Sequence, residues 1–140
     1  MDIIKLHLFG KDDEDYNVLS SLLQDAAVPI SEMKFELIRK QFIIVCSRYV
    51  WENKVRKKES MRVVSGVCFD NVLKVKKKNF PPKNSQHVLN FLTARRKENY
   101  VELIFSGEII IKLEGNMISF RIDDLNKEWP TIFSPSHNLN

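Results

Sequence analysis

Residues 12–52 read DDEDYNVLSSLLQDAAVPISEMKFELIRKQFIIVCSRYVWE, and this stretch decides how the fold begins. Asp12 or Asp13 can cap a helix, and Glu14 and Asp15 suit its positive N-terminal end. Tyr16, Leu19, Leu22, Leu23 and Ala26 then recur at helical spacing and form one apolar stripe that needs a sheet to pack on. Pro29 requires the chain to leave the helix by about Val28, which puts Gln24 and Asp25 in the last turn. An acidic residue there opposes the helix dipole, so Asp25 needs a basic partner or a loop amide.

After the helix the period changes to two. Met33, Phe35 and Leu37 alternate with Lys34 and Glu36, residues 39–41 turn, and residues 42–51 return as a long strand, making a hairpin. Phe42, Ile44, Cys46, Arg48 and Val50 share one face of that strand. Ile43, Val45, Ser47, Tyr49 and Trp51 share the other. Both faces start apolar, as in a central strand covered on both sides.

Outward from this block the chain is strand after strand. Residues 3–9 alternate before Gly10 breaks them. Residues 61–69 and 72–78 are extended on either side of a tight turn or bulge at Asp70 and Asn71. Residues 88–95, 100–106, 108–113 and 117–122 read as further strands, with turns at Ser106-Gly107 and at Gly115-Asn116. Val101, Leu103 and Phe105 point inward, as do Ile118, Phe120 and Ile122. Residues 123–140 form an irregular strap. The chain is one α+β domain of 140 residues. One N-terminal helix packs on a mostly antiparallel sheet of about eight strands. The sheet either closes as a small barrel of the pleckstrin-homology type or folds as a two-layer sandwich.

Charge is unevenly spread. Residues 1–52 hold 6 Lys/Arg against 9 Asp/Glu, residues 53–78 hold 9 against 2, and residues 79–140 hold 7 of each. The net charge of +4 therefore belongs to the middle segment. Its cations fall in two runs, Lys54, Arg56, Lys57 and Lys58, then Lys74, Lys76, Lys77 and Lys78. Such runs serve either as solvated strand ends or as an anion-binding surface for nucleic acid or an anionic membrane face. No aromatic is interleaved in either run, so a base-stacking platform is not indicated, and zinc-finger or RNA-recognition signatures are absent.

Chemistry is sparse. The chain has no phosphate loop, no dinucleotide fingerprint, no zinc-protease helix, no nucleophile elbow and no calcium loop. His7, His87 and His137 have no metal-ligand spacing. Cys46 and Cys68 lie in core strands, where thiols are usually inert, and no cofactor is implied. No run reaches the roughly 18 apolar residues of a membrane span and no signal peptide opens the chain, so the reading is a cytoplasmic protein. Arg48, on an apolar face, should be paired with Asp25 or Glu36. Gln24, Asp25, Arg48, Trp51, Glu52 and His137 could instead line a small anionic pocket.

At Leu22-Leu23-Gln24-Asp25-Ala26, Arg48-Tyr49-Val50-Trp51-Glu52 and Pro135-Ser136-His137-Asn138-Leu139 the chain resembles a bacterial family, domain of unknown function 2948, found mainly in alphaproteobacteria. A Phe-x-x-Val-x-x-Val strand, here Phe69 to Val75, belongs to the same pattern. Tyr49 replaces the family's Phe, and Asn138 stands where Asp is common. The resemblance implies one full-length domain in a bacterial cytoplasm and no assigned activity. The favoured function is a non-enzymatic binding or adaptor domain with an anionic partner. The alternative is an oligomer or protein-interaction subunit, and an enzyme comes third.

Overall fold

The computed structural model describes residues 5–50, 61–82 and 86–125. Strand β1 (His7–Gly10) leads into helix α1 (Asp13–Leu23), followed by β2 (Ala27–Pro29), a 3-10 turn (Ile30–Glu32), β3 (Lys34–Glu36) and β4 (Gln41–Val50). Then come β5 (Met61–Lys78), β6 (Val88–Arg96), β7 (Tyr100–Phe105) and β8 (Ile109–Asp124). All pairings are antiparallel, in the order β8-β5-β4-β2-β6-β7, and β7 pairs again with β8. Six strands thus close a barrel rather than a two-layer sandwich. β1 adds to β8 and β3 to β4 as outer strands.

The helix starts where the acidic run places it. Asp12 accepts the Asp15 amide at 2.8 Å, and Asp15 accepts the Lys11 and Asp12 amides at 2.9 and 3.3 Å, a complete capping box. Those amide hydrogen bonds hold the Asp15 carboxyl below the usual carboxylate value. The helix ends at Leu23 without a glycine, because Asp25 takes the left-handed conformation (φ 64°) that its short polar side chain tolerates. Asp25 therefore lies just past the last turn. Its amide donates to the Phe91 carbonyl, and its carboxylate accepts from the Asn90 side chain, with no cation or loop amide on that carboxylate among the described residues.

Tyr16, Leu19, Leu23 and Ala26 are buried, Leu22 is half-buried, and the helix packs mainly on β6. Ser20 fastens that contact by accepting the Ala94 amide at 3.0 Å. Five phenylalanines, Phe42, Phe69, Phe91, Phe105 and Phe120, fill the interior. Tyr16 meets Phe120 edge to face at 4.9 Å, and its hydroxyl donates to the Ile118 carbonyl at 2.9 Å. Burial raises the Tyr16 phenol well above its ordinary value, so it stays a donor. Tyr16→Phe removes this one buried hydrogen bond and is expected to cost about 1–2 kcal/mol. Thermal unfolding should show it as a fall of roughly 3–6 °C.

Two expected breaks in the sheet are not breaks. Asp70 and Asn71 form a bulge within one long β5, the second of the two options. Gly115 and Asn116 form no turn: β8 runs through them as a single strand with its register shifted against β5. Asn71 (φ 71°) and Met117 (φ 55°) absorb the extra residues, and the Asn71 side-chain amide donates to the Met117 carbonyl at 3.1 Å. Bulges bend strands, and a bend shared by β5 and β8 lets β8 reach both β5 and β7 and so close the barrel. The strap expected over residues 123–140 gives up Asp123 and Asp124 to β8, and from residue 126 it lies outside the described residues.

Candidate functional site

Arg48 points into the barrel with Phe42, Ile44 and Cys46, as the alternation of β4 requires. Its partner is neither Asp25 nor Glu36 but Asp124, at the end of β8. The Arg48 Nε donates to Asp124 Oδ1 at 3.1 Å and the terminal nitrogen Nη2 to Oδ2 at 2.9 Å. Ser65 accepts from Nε at 3.1 Å and donates to Asp124 Oδ1 at 2.6 Å. The Tyr49 carbonyl accepts from Nη1 at 3.3 Å, and the Leu6 amide donates to Asp124 Oδ2 at 2.8 Å. Both charged side chains are only 4% exposed. Burial alone would raise the Asp124 carboxyl, but the hydrogen bonds from Arg48, Ser65 and Leu6 outweigh it and hold the group below its usual value.

This cluster braces β4, β5, β8 and the residue leading into β1. Within it the Arg48 guanidinium, the Ser65 hydroxyl and the Asp124 carboxylate are bonded chiefly to one another and to backbone, as in a structural brace. Glu36 is held by Lys34 at 2.8 Å. Gln24 is exposed at the helix cap, and no hydrogen bond joins Gln24 or Asp25 to Arg48 among the described residues. Trp51, Glu52 and His137 lie outside the described residues.

The cysteines are unpaired. Burial pushes the Cys46 thiol up to about 12. Burial, aided by the Asp70 carboxylate, also raises Cys68. Neither is a thiolate near neutral pH, which is what nucleophilic work needs. No group of three or more His, Cys, Asp or Glu that could hold a metal occurs among the described residues. His7 pairs with Asp123 on the surface.

The second basic run builds something more open. Lys74, Lys76 and Lys78 alternate along β5 and so emerge on one face, opposite Glu114, Lys112 and Ile110 of β8. Across β8, those three residues face Tyr100, Glu102 and Ile104 of β7, and Glu102 faces Arg95 of β6. Five cations and two carboxylates therefore share this outer face. Lys77 alternates to the other side, where its ammonium sits 4.6 Å from the centre of the Phe80 ring. Lys54, Arg56, Lys57 and Lys58 lie outside the described residues.

Glu114 ties the face together. It binds Lys76 at 3.1 Å and Lys112 at 3.8 Å. The hydrogen bond from Lys76 holds its carboxyl below the usual value, so it is ionised at neutral pH. The Lys112 ammonium lies 4.2 Å from the centre of the Tyr100 ring. Lys74 and Lys78 make no ion pair among the described residues. Beside this row lies an open recess of about 350 Å³, lined by Leu73, Asn99, Tyr100, Glu114, Gly115 and Asn116. The shared bulge shapes it: Gly115 lies against the Asn71 carbonyl and donates its amide to the Asn99 carbonyl at 3.0 Å.

Sequence reading found the lysines and missed Tyr100, Lys112 and the recess. An aromatic does stand among these cations, but it comes from β7, more than 20 residues along the chain from Lys78. Parity along β7 and β8 was the available signal. Tyr100 and Glu102 alternate with buried Val101 and Leu103, and Lys112 and Glu114 with buried Ile111 and Leu113.

No helix of the described residues is long and apolar enough to cross a membrane. Comparison with curated proteins and with solved structures returns no match. The family model described as "Protein of unknown function (DUF2948)" matches residues 6–137, nearly the whole chain, and the chain therefore belongs to that family.

Proposed function

We propose that this domain is a non-enzymatic binding module that takes an anionic, phosphate-bearing partner on the outer face of β5, β8 and β7. The observation that carries this is the row Lys74, Lys76 and Lys78, joined by Lys112 on the adjacent strand. Alternate residues of a strand stand about 6.6 Å apart, so the row presents cations at a spacing suited to successive backbone phosphates. Two carboxylates offset only part of that charge, and Lys74 and Lys78 make no ion pair within 4.0 Å among the described residues. The interior supports the same reading: among the described residues its buried ion pair is bound within the Arg48–Ser65–Asp124 cluster, and the buried Cys46 thiol is protonated.

Counterion release makes such binding steeply salt-dependent, with a slope of about 0.7 per contacted phosphate on a single strand. Replacing Lys74, Lys76 and Lys78 together by Ala should lower the slope by about 2 and weaken binding at least tenfold. The measurement is fluorescence anisotropy with an oligonucleotide about 12 nucleotides long, repeated from about 50 to 200 mM salt, with co-sedimentation on phosphatidylserine vesicles in parallel. Absence of binding to both probes at low salt, or an unchanged slope in a folded triple variant, would sink the proposal.

A further inference from the structure

We infer that the recess beside the lysine row is a base-binding subsite, and that the anionic partner is a single-stranded nucleic acid. This inference rests on the proposed function and goes one step further, from charge to ligand class.

The recess and the row differ in chemistry although they touch. The row is cationic. Glu114 borders the recess, and its ionised carboxylate, shared with Lys76 and Lys112, accepts hydrogen bonds. Its other lining residues are the aromatic Tyr100, the apolar Leu73, Gly115, and Asn99 and Asn116, each with a side-chain amide. Neither amide makes a hydrogen bond among the described residues, so both are open to a ligand. An aromatic wall, an apolar wall, amides and one acceptor suit a flat, uncharged ring with polar edges. A ligand that fits both parts is neutral and planar at one end and carries a run of negative charge from there onward. A nucleotide strand has that layout.

Geometry favours a strand over a free nucleotide. Tyr100 and Glu114 stand in register with Lys74 at the head of the row. From Lys74 to Lys78 the row runs about 13 Å along β5, long enough for more than one phosphate. A mononucleotide would leave its far end unused. Lys112, held over the Tyr100 ring, places a cation where the base meets its first phosphate. The recess is open to solvent on one side, so the strand can enter from its end or thread past a base turned inward. Sequence tolerance is expected, since stacking on an aromatic ring needs only a π-face.

An abasic oligonucleotide separates this inference from the reading beneath it. It keeps every phosphate and removes every base. With a deoxyadenosine oligonucleotide and an abasic one of equal length, anisotropy should show the base-bearing strand binding about tenfold tighter. Tyr100→Leu should erase that ratio without lowering the abasic affinity, and Lys74→Ala with Lys76→Ala and Lys78→Ala should weaken both probes. Asn116→Ala, at an exposed position of β8, should reduce the ratio about threefold and serves if Tyr100→Leu does not fold. Equal affinity for the two probes leaves the charged face standing and overturns the subsite, as does a ratio unchanged by Asn116→Ala together with any folded Tyr100→Leu. If neither strand binds at low salt while vesicles do, the partner is a membrane surface and the subsite is again overturned. If nothing binds, both readings fall.

Discussion

Arg48→Ala is expected to lower the unfolding free energy by about 3–5 kcal/mol, the usual result of stranding one member of a buried ion pair. The number comes from what is left behind. Asp124 would keep its buried carboxylate with only the Ser65 hydroxyl and the Leu6 amide to satisfy it, and the guanidinium's two hydrogen bonds to it would be gone. Replacing both partners by apolar residues, Arg48→Met with Asp124→Leu, should recover most of the loss, because the pair's desolvation cost disappears with it. Urea unfolding of the two variants beside the parent measures both. An Arg48→Ala protein within about 1 kcal/mol of the parent would show that the cluster braces nothing.

The same brace gives stability a direction in pH. The Asp124 carboxyl lies lower in the folded chain than its ordinary value of about 3.9. Above that ordinary value the stabilisation is fully present. As pH falls through the depressed folded value, protonation of Asp124 removes it. Asp15, Glu36 and Glu114 are also depressed, but they are only half-buried at the surface and their contributions are screened. Asp124→Asn should therefore be less stable at neutral pH and lose less on acidification below about pH 4 than the parent.

Arg48 also shows where reading a sequence stops. That it faces the interior was legible from the two-residue period of β4. That it must be paired followed from its burial. Which acid pairs with it was not legible, because Asp124 lies 76 residues away. The nearer acids are excluded by geometry. Glu36 stands opposite Gln41, seven residues along β4 from Arg48, and Asp25 is turned toward Asn90. Local pattern fixes which face a side chain takes, while strand order decides what it meets there.

The same division runs through the candidate site. The inward sets Val101, Leu103 and Phe105, and Ile118, Phe120 and Ile122, are all buried as their alternation implies. Gly115-Asn116 reads as a turn in the sequence because turns and bulges draw on the same residues, those that tolerate left-handed or crowded backbone. The two differ only in whether the ladder resumes afterwards, and that depends on β5. Once β8 is one strand, Tyr100, Lys112 and Glu114 fall on the face of the β5 lysines. Without that continuity they belong to unrelated hairpins.

The second large effect tests that continuity directly. A Cβ built at Gly115 would lie 2.0 Å from the Asn71 carbonyl oxygen. That oxygen is backbone, in a residue already held at positive φ and tied through its side chain to Met117. Relief cannot come from a rotamer change, so β5 and β8 must part. Gly115→Ala should cost about 3 kcal/mol, the upper end of ordinary overpacking, and lower the melting temperature by roughly 10 °C. Gly66→Ala is the matched control, since its Cβ would meet nothing nearer than the Leu125 side chain at 3.6 Å, and it should cost under about 1 kcal/mol. The consequences for binding should divide as well. Lys76 and Lys78 pair with Lys112 and Ile110, beyond the bulge, so the charged row survives the substitution. The recess does not, because Gly115 forms part of its wall and positions Asn99 through the amide it donates. A folded Gly115→Ala protein should therefore keep its salt-dependent affinity for an abasic strand and lose its preference for a base-bearing one. A melting temperature within about 2 °C of the parent would mean that β5 and β8 are not pinned at the bulge, and the shape of the recess would need another cause.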